Sequence, residues 1–392
     1  MGSLKGISGS AMRALCFGGL LMVGAATLCA AERAESIRFK KTHLDAKFRS
    51  EGVAAADFNH DGQMDIAAGS VYFAAPDWTM HPIKTEAEEF DPKAYSNSFC
   101  NFADDVNGDG WADLIVVDFP GKETWWFENP QTASGAWQQR AATRVTNNES
   151  PSWLDVDGDG ARELLFGDGE ERVALLKRGD DVRGDWNVMP ISVPKSPGGQ
   201  KFAHGIGAGD INGDGRNDVL VIQGWWEAPA ESTGEPWTFH PAPFGDACAH
   251  MHVYDFDGDG DNDVLSSSAH NFGIWWHEQT PDGWTTHEIE RSFSQTHSLC
   301  VADINQDGLP DFVTGKRYWA HGGHDPGGDQ PALMYWFELT RENGRPVWIP
   351  HLFDHDSGVG TQFEVVDMND DGLLDVITSN KKGTHLFVQY RE

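Results

Sequence analysis

Oxygen-bearing side chains recur in this chain at a spacing suited to a hard cation. The clearest copy is Asp255-x-Asp257-x-Asp259-Gly260-x-x-Asp263, with carboxylates at positions 1, 3, 5 and 9 and a glycine where the loop turns sharply. Immediately ahead stand His250 and His252, in the stretch AHMH. The loop is repeated along the chain and the histidines are not. The two halves of residues 249–263 therefore belong to different chemistry.

The loop occurs seven times. The copies are Asp57/Asn59/Asp61/Asp65, Asp105/Asn107/Asp109/Asp113, Asp155/Asp157/Asp159/Glu163 and Asp210/Asn212/Asp214/Asp218, then Asp255/Asp257/Asp259/Asp263, Asp303/Asn305/Asp307/Asp311 and Asp367/Asn369/Asp371/Asp375. Each keeps glycine at position 6, and these 28 side chains are the candidate calcium ligands. An EF-hand needs Glu at position 12, where this chain has Ala68, Val116, Phe166, Val221, Ser266, Thr314 and Thr378. The flanks are short β-type runs, not amphipathic helices.

Other pieces repeat in phase. A short strand follows each loop, then in four repeats a tryptophan-rich one (TWWF at 124–127, GWWE at 224–227, IWWH at 274–277, MYWF at 334–337). A fourth strand carries Trp with His three residues on: Trp78/His81, Trp237/His240, Trp284/His287 and Trp348/His351. Four strands make a propeller blade. The last repeat lacks a fourth strand, and residues 37–44 (IRFKKTHL) resemble the missing one. Pairing them closes a ring and removes the exposed sheet edges. The expected fold is all-β, a seven-bladed β-propeller of four-stranded blades spanning residues 32–392.

Sixteen Trp and 22 Phe supply the burial such a ring needs. A net charge of −32 argues against nucleic acid or an anionic membrane as partner. Residues 1–31 read as a signal peptide, with Lys5 and Arg13 before an apolar stretch and Ala30/Ala31 as cleavage point. The protein is therefore expected to be exported, to the periplasm, the cell surface or the medium, with no membrane span. Beyond that leader Cys100, Cys248 and Cys300 remain, either as buried thiols or as one disulfide and a spare.

These repeats resemble the FG-GAP/VCBS family, whose calcium-loop blades also build the heads of integrin α-subunits. The resemblance covers roughly residues 37–390. It implies up to seven structural calcium ions held by the loop side chains, with the position-7 carbonyl adding a ligand. The same family hosts adhesins, lectin-like modules and enzymes, so activity has to be read from the non-repeating residues.

In a blade of this topology the loops share one face, and the starts of the inner strands and the turns after the second strands share the other. That second face gathers His204, His250, His270, His297, Lys316, Arg317, His321 and Lys381, none of which the repeat requires. Six residues before the loops stand Glu51, Phe99, Glu149, His204, Ala249, His297 and Thr361. Converging imidazoles bind zinc or another divalent transition metal, or act as general bases. His204, His250 and His297 are the first choice of metal ligands. A weaker resemblance links the blade design to the propeller of aldos-2-ulose dehydratase, which implies a metal-assisted elimination on a sugar.

Two functions follow as expectations. One is a metal-dependent carbohydrate dehydratase or lyase, with an axial His as base and Lys316 or Arg317 stabilising enolate-like charge. The other is a non-catalytic module that binds a glycan, another small molecule or a protein through the same face, using the loops at 84–98 and 318–331.

Overall fold

The computed structural model describes residues 36–132, 135–231, 234–248 and 250–392. The expected leader, residues 1–31, lies outside them. Residues 37–392 form one compact unit of seven four-stranded antiparallel sheets. The expected propeller is present, blade by blade.

The second strand of each blade starts at loop position 9 and is buried along its whole length. Asp113–Val117 (DLIVV) and Glu163–Gly167 (ELLFG) are buried at every residue. A strand packed on both faces needs no polar alternation, and here neighbouring blades cover both. The inner strands are shorter, such as Ser152–Leu154 in blade three and Ile206–Gly209 in blade four.

Successive inner strands pack side by side, and that of blade seven (Phe363–Val366) meets that of blade one (Ala54–Ala56). The N–H groups of Val53 and Ala55 donate to Gln362 Oε1 (2.8 Å) and Glu364 Oε2 (3.0 Å) across this junction. On the rim, Ile37–Asp45 pairs antiparallel with Gly383–Arg391, placing Ile37 opposite Arg391 and His43 opposite His385. The first strand of the chain thus completes the last blade.

The Trp pairs are packing residues. Trp126, Trp226, Trp276 and Trp336 are buried in the clusters between blades. The outer-strand histidines stack on the third strand, His240 on Trp225 at 4.2 Å and His351 on Trp336 at 4.2 Å. Their Nε2 atoms face Glu227 and Glu338 at 2.7 and 2.9 Å, and His287 repeats the arrangement with Trp276 and Glu278. These histidines therefore belong to the repeat.

Cys100, Cys248 and Cys300 are all free, which removes the disulfide alternative. Among the described residues no helix is long and apolar enough to cross a membrane.

Candidate metal centre

The residue six before each loop enters the inner strand on the face away from the loops. In blades three, four and six that residue is Glu149, His204 and His297. Ala249 holds the place in blade five, and His270, from the turn after that blade's second strand, reaches the same spot. One ligand atom from each of Glu149, His204, His270 and His297 lies within 4.8 Å of all the others. His204 Nε2 is 3.3 Å and His297 Nε2 3.2 Å from Glu149 Oε2, while His204 Nε2 is 2.8 Å from His270 Nε2.

The second ring nitrogens fix the first. His204 Nδ1 lies 2.8 Å from the Phe202 carbonyl oxygen, which can only accept, so Nδ1 carries the proton. His270 Nδ1 lies 3.2 Å from Asp325 Oδ2, which orients it the same way. In the neutral rings both Nε2 atoms are then bare lone pairs, facing each other at hydrogen-bond distance beside a carboxylate. A proton shared by the two rings, or a metal ion held by both, removes the clash of lone pairs. Carbonyl and carboxylate partners on the far nitrogen also recur behind metal-bound histidines.

Burial and charge agree. Glu149 and His204 are 7 and 8% exposed and His297 is fully buried. Burial and then the nearby Arg317 hold His297 well below the ordinary histidine range, so its ring is neutral. Burial opposes charge on Glu149, but the contacts with His204 and His297 outweigh it and hold the carboxyl well below its usual range. Burial and then neighbouring His204 lower His270 to about 4. Three imidazoles and one carboxylate form a donor set for a divalent transition metal.

The blade-six insertion, residues 318–331, closes over this centre. Asp325 holds His270 through Oδ2 and His321 Nδ1 through Oδ1 at 3.0 Å, and Gln295 Nε2 donates to Asp325 Oδ2 at 2.9 Å. His321 stacks on His270 at 4.5 Å, and its N–H donates to the Tyr95 hydroxyl at 3.1 Å. His321 thus reaches the site as support, itself largely exposed.

The expected cations line the same mouth in different roles. Arg317 is buried and pairs with Glu51 Oε1 at 2.8 Å. Lys316 Nζ is buried and donates to Gln295 Oε1 (2.8 Å) and the Arg317 carbonyl (3.1 Å). Lys381 Nζ donates to the Trp319 carbonyl at 3.3 Å and lies 4.2 Å from the centre of the Tyr95 ring. Among the described residues no carboxylate pairs with Lys381. Burial brings both lysines down to about 8.

His250 does not join the cluster. It stands five before its loop, and strand alternation turns it away from the place its neighbour would fill. Its backbone bridges to Ile206, and burial, then neighbouring His252, lowers its side chain to about 3. His252 Nε2 meets the Leu299 carbonyl at 3.0 Å. Glu149 is the ligand candidate that the pattern of histidines alone misses. Its signal is its position, the one that also carries His204 and His297.

The loops on the opposite face are folded by their own side chains. In the first, Asp57 accepts the N–H groups of Asp61 (3.0 Å) and Gly62 (2.8 Å), and Asn59 Oδ1 that of Asp61 (2.9 Å). Asp105, Asp210, Asp303 and Asp367 repeat the role of Asp57 at position 1. Asp65 at position 9 accepts from Phe58 N (3.0 Å) and from Ala75 N on the third strand (2.9 Å). It thus ties loop to blade. Burial raises the position-9 carboxyls of six loops to about 6 or 7.

The middle of the loops differs from copy to copy. Among the described residues, three or more loop carboxylates converge to within 4.8 Å only in loop three (Asp155, Asp157, Asp159, Glu163) and loop five (Asp255, Asp257, Asp259). The position-5 carboxylates are exposed in all seven loops. In the other five loops position 3 is asparagine, which offers an amide oxygen in place of a carboxylate and donates as well as accepts. The Nδ2 groups of Asn107 and Asn305 donate to Asp109 Oδ2 (2.8 Å) and Asp307 Oδ2 (3.0 Å), as that of Asn59 does to Asp61. Asn212 Nδ2 instead reaches Glu227 Oε1 at 3.5 Å, and Asp214 pairs with Arg216. Asn369 Oδ1 accepts the N–H of Asp371 (3.0 Å), whose Oδ1 accepts that of Leu373 (2.8 Å). Asn107, Asn212, Asp214, Asn305, Asp307, Asn369 and Asp371 thus stand as turn-forming groups on an open rim.

Fold and loops together define a seven-bladed propeller of repeated DxDxDGxxD blades. The family model for the FG-GAP-like repeat matches residues 105–166, 155–221 and 255–314, each match running from the first aspartate of one loop through the strand after the next. Over residues 105–221 and 255–314 the propeller is thus built of FG-GAP-like repeats. No curated protein matches it. Among solved structures, BBS1N in complex with ARL6DN is similar at TM-score 0.52 and 10% identity over 89% of this chain and 94% of that one. An Agrocybe aegerita lectin that recognises terminal N-acetylglucosamine gives 0.48 and 16% over 91% and 86%, and the exotype rhamnogalacturonan lyase YesX 0.44 and 12% over 91% and 74%. At these identities the likeness is one of fold.

Proposed function

We propose that this protein is an exported propeller, clipped by calcium at its loops, whose axial centre of Glu149, His204, His270 and His297 holds a divalent transition metal and acts on carbohydrate by elimination. The observation that carries the reading is the convergence of Glu149, His204, His270 and His297, one ligand atom from each lying within 4.8 Å of all the others. The leader-like residues 1–31 support export, and the acidic loops support calcium.

When bound, the metal would polarise a carbonyl or carboxylate oxygen of the sugar and so acidify the adjacent C–H. The histidines serve as ligands in this arrangement and are not free to act as base. Lys381 suits that role better, because an amine lowered to about 8 is partly neutral near neutral pH. It would take the proton as the C–H bond breaks, the electron pair would form the C=C bond, and the C–O bond to the leaving group would break. Arg317 stands by to offset the developing negative charge. Lys316, tied to Gln295 and to backbone, holds the Arg317 segment in place.

Coordination number divides the alternatives. Four protein donors complete a tetrahedron around zinc and would make a closed, structural site. A five- or six-coordinate ion keeps room for a sugar oxygen, and the enzymatic reading needs one. The cover formed by residues 318–331 favours the second function, a binding module for a glycan or a protein. Metal analysis of EGTA-dialysed protein, of Glu149→Gln and of His297→Ala tests the centre. An ultraviolet assay for new conjugated C=C bonds across acidic and neutral oligosaccharides tests the reaction. A transition metal lost in both variants, with product formed only by the loaded wild type, supports the enzyme. A metal retained in both variants sinks the centre, and a loaded protein silent on every sugar leaves the binding module.

A further inference from the structure

Blade three reverses the charge of its neighbours at one third-strand position. The residue just after the partner of the second strand's second residue is Glu128, Glu227, Glu278 and Glu338 in blades two, four, five and six. In blade three, where Leu164 pairs with Leu176, it is Lys177. Charge is reversed where the strand passes the loop.

Lys177 turns into that loop. Its Nζ lies 2.5 Å from Asp157 Oδ2, 2.7 Å from Asp159 Oδ2 and 3.4 Å from Glu163 Oε1. These oxygens belong to positions 3, 5 and 9, the ones a calcium ion would use. The loop is matched to its lysine. Position 3 is Asp157, where five of the seven loops have Asn. Position 9 is Glu163, where the other six have Asp.

The extra methylene has a visible effect. In the other blades the two oxygens of the position-9 carboxylate accept backbone N–H groups from the loop and from the third strand, as in Asp113 with Val106 and Asn129. Glu163 keeps the first of these through Oε2, at 3.0 Å from Val156 N. Its Oε1 is buried, accepts no hydrogen bond and faces the lysine. Loop five is the natural control, with Asp255, Asp257, Asp259 and Asp263 all acidic and Glu278 opposite them in place of a lysine.

We propose that Lys177 is the resident cation of the third loop, so that this blade is clipped by the chain itself and takes no calcium. The proposal rests on the calcium reading of the other loops. An ammonium cannot share these carboxylate oxygens with a divalent ion, because like charges would stand within a few ångströms of each other. The consequence reaches the axis. The inner strand Ser152–Leu154 joins this loop to Glu149, so the strand that presents the axial carboxylate is anchored without a dissociable ion.

Calcium titration calorimetry on chelator-stripped wild type, Lys177→Gln and Lys177→Glu tests the idea. Each variant is expected to bind one equivalent more than wild type. Equal uptake by wild type and variants overturns the proposal. If the wild type takes up no calcium at any loop, the general calcium reading falls with it. Hydrogen exchange of the wild type needs no variant to fold. EGTA should deprotect Asp263–Ser267 in blade five and leave Glu163–Gly167 in blade three protected, and an equal response of the two strands overturns the proposal.

Discussion

Glu51 and Glu149 occupy the same position of their repeats, six residues ahead of the loop, and face the same axis with opposite fates. Glu51 ends 2.8 Å from Arg317, and burial raises its pKa. Glu149 ends between His204 and His297 and is held ionised. The repeat sets where a side chain emerges, and its neighbours around the ring decide what it does.

Asp325 supports the centre from outside, through His270 and His321. Asp325→Asn should weaken transition-metal affinity by about 10- to 100-fold without abolishing binding, the usual effect of losing such a partner. Competition against a chromophoric chelator measures it. His287→Ala removes a stacked rim histidine and should leave that affinity unchanged.

Calcium removal should destabilise the whole ring. Each ion bound at about 100 times its dissociation constant adds about 2.7 kcal/mol to the folded state. EGTA should therefore lower the melting temperature by ten degrees or more, followed by circular dichroism with and without added calcium. An unchanged transition would remove the clip reading of the loops.

Glu364 offers a pH test away from every proposed metal ligand. Burial raises it from 4.5 to about 7, against the opposing N–H of Ala55 and the charge of Arg162. Between those values the folded chain keeps a proton that the unfolded chain has released, so stability falls as pH rises through this window. Glu364→Gln should match the wild type near pH 4 and exceed it at pH 8, by about 3 kcal/mol at most. Denaturant titrations at the two pH values read the difference. An equal effect at both would refute the assignment.

Ring closure can be tested by shortening the chain to start at residue 47. That removes Ile37–Asp45, exposes the edge of Gly383–Arg391 and breaks the Lys41–Asp354 ion pair at 3.0 Å. The shortened protein should melt at least ten degrees lower and self-associate, as seen by size-exclusion chromatography.

The scaffold is legible in the sequence because it is periodic. Seven loops, the WW strands and the orphan strand at 37–44 fix blade number and closure, and strand alternation then points His204 and His297 at the axis. The axial centre is less legible because it is not periodic. His250 misses it by one residue, and one residue is half a strand period. Glu149 hides because one more carboxylate carries little information in a chain of net charge −32. Spacing also makes the seven loops look alike, whereas only loops three and five bring three or more carboxylates together among the described residues, and in loop three Lys177 stands among them. The role of Lys177 depends on which loop residue a third-strand side chain passes, which spacing along the chain does not state.

The position six before the loop has a further meaning for how such a protein changes over generations. Packing between blades is carried by the second and third strands, while the axial chemistry draws mainly on one residue per blade. A single codon in one repeat can therefore exchange a donor at the axis without disturbing the core. At Glu149, His204 and His297 the ring works as a socket with replaceable pins, whereas Phe99 at the same place in blade two belongs to the core.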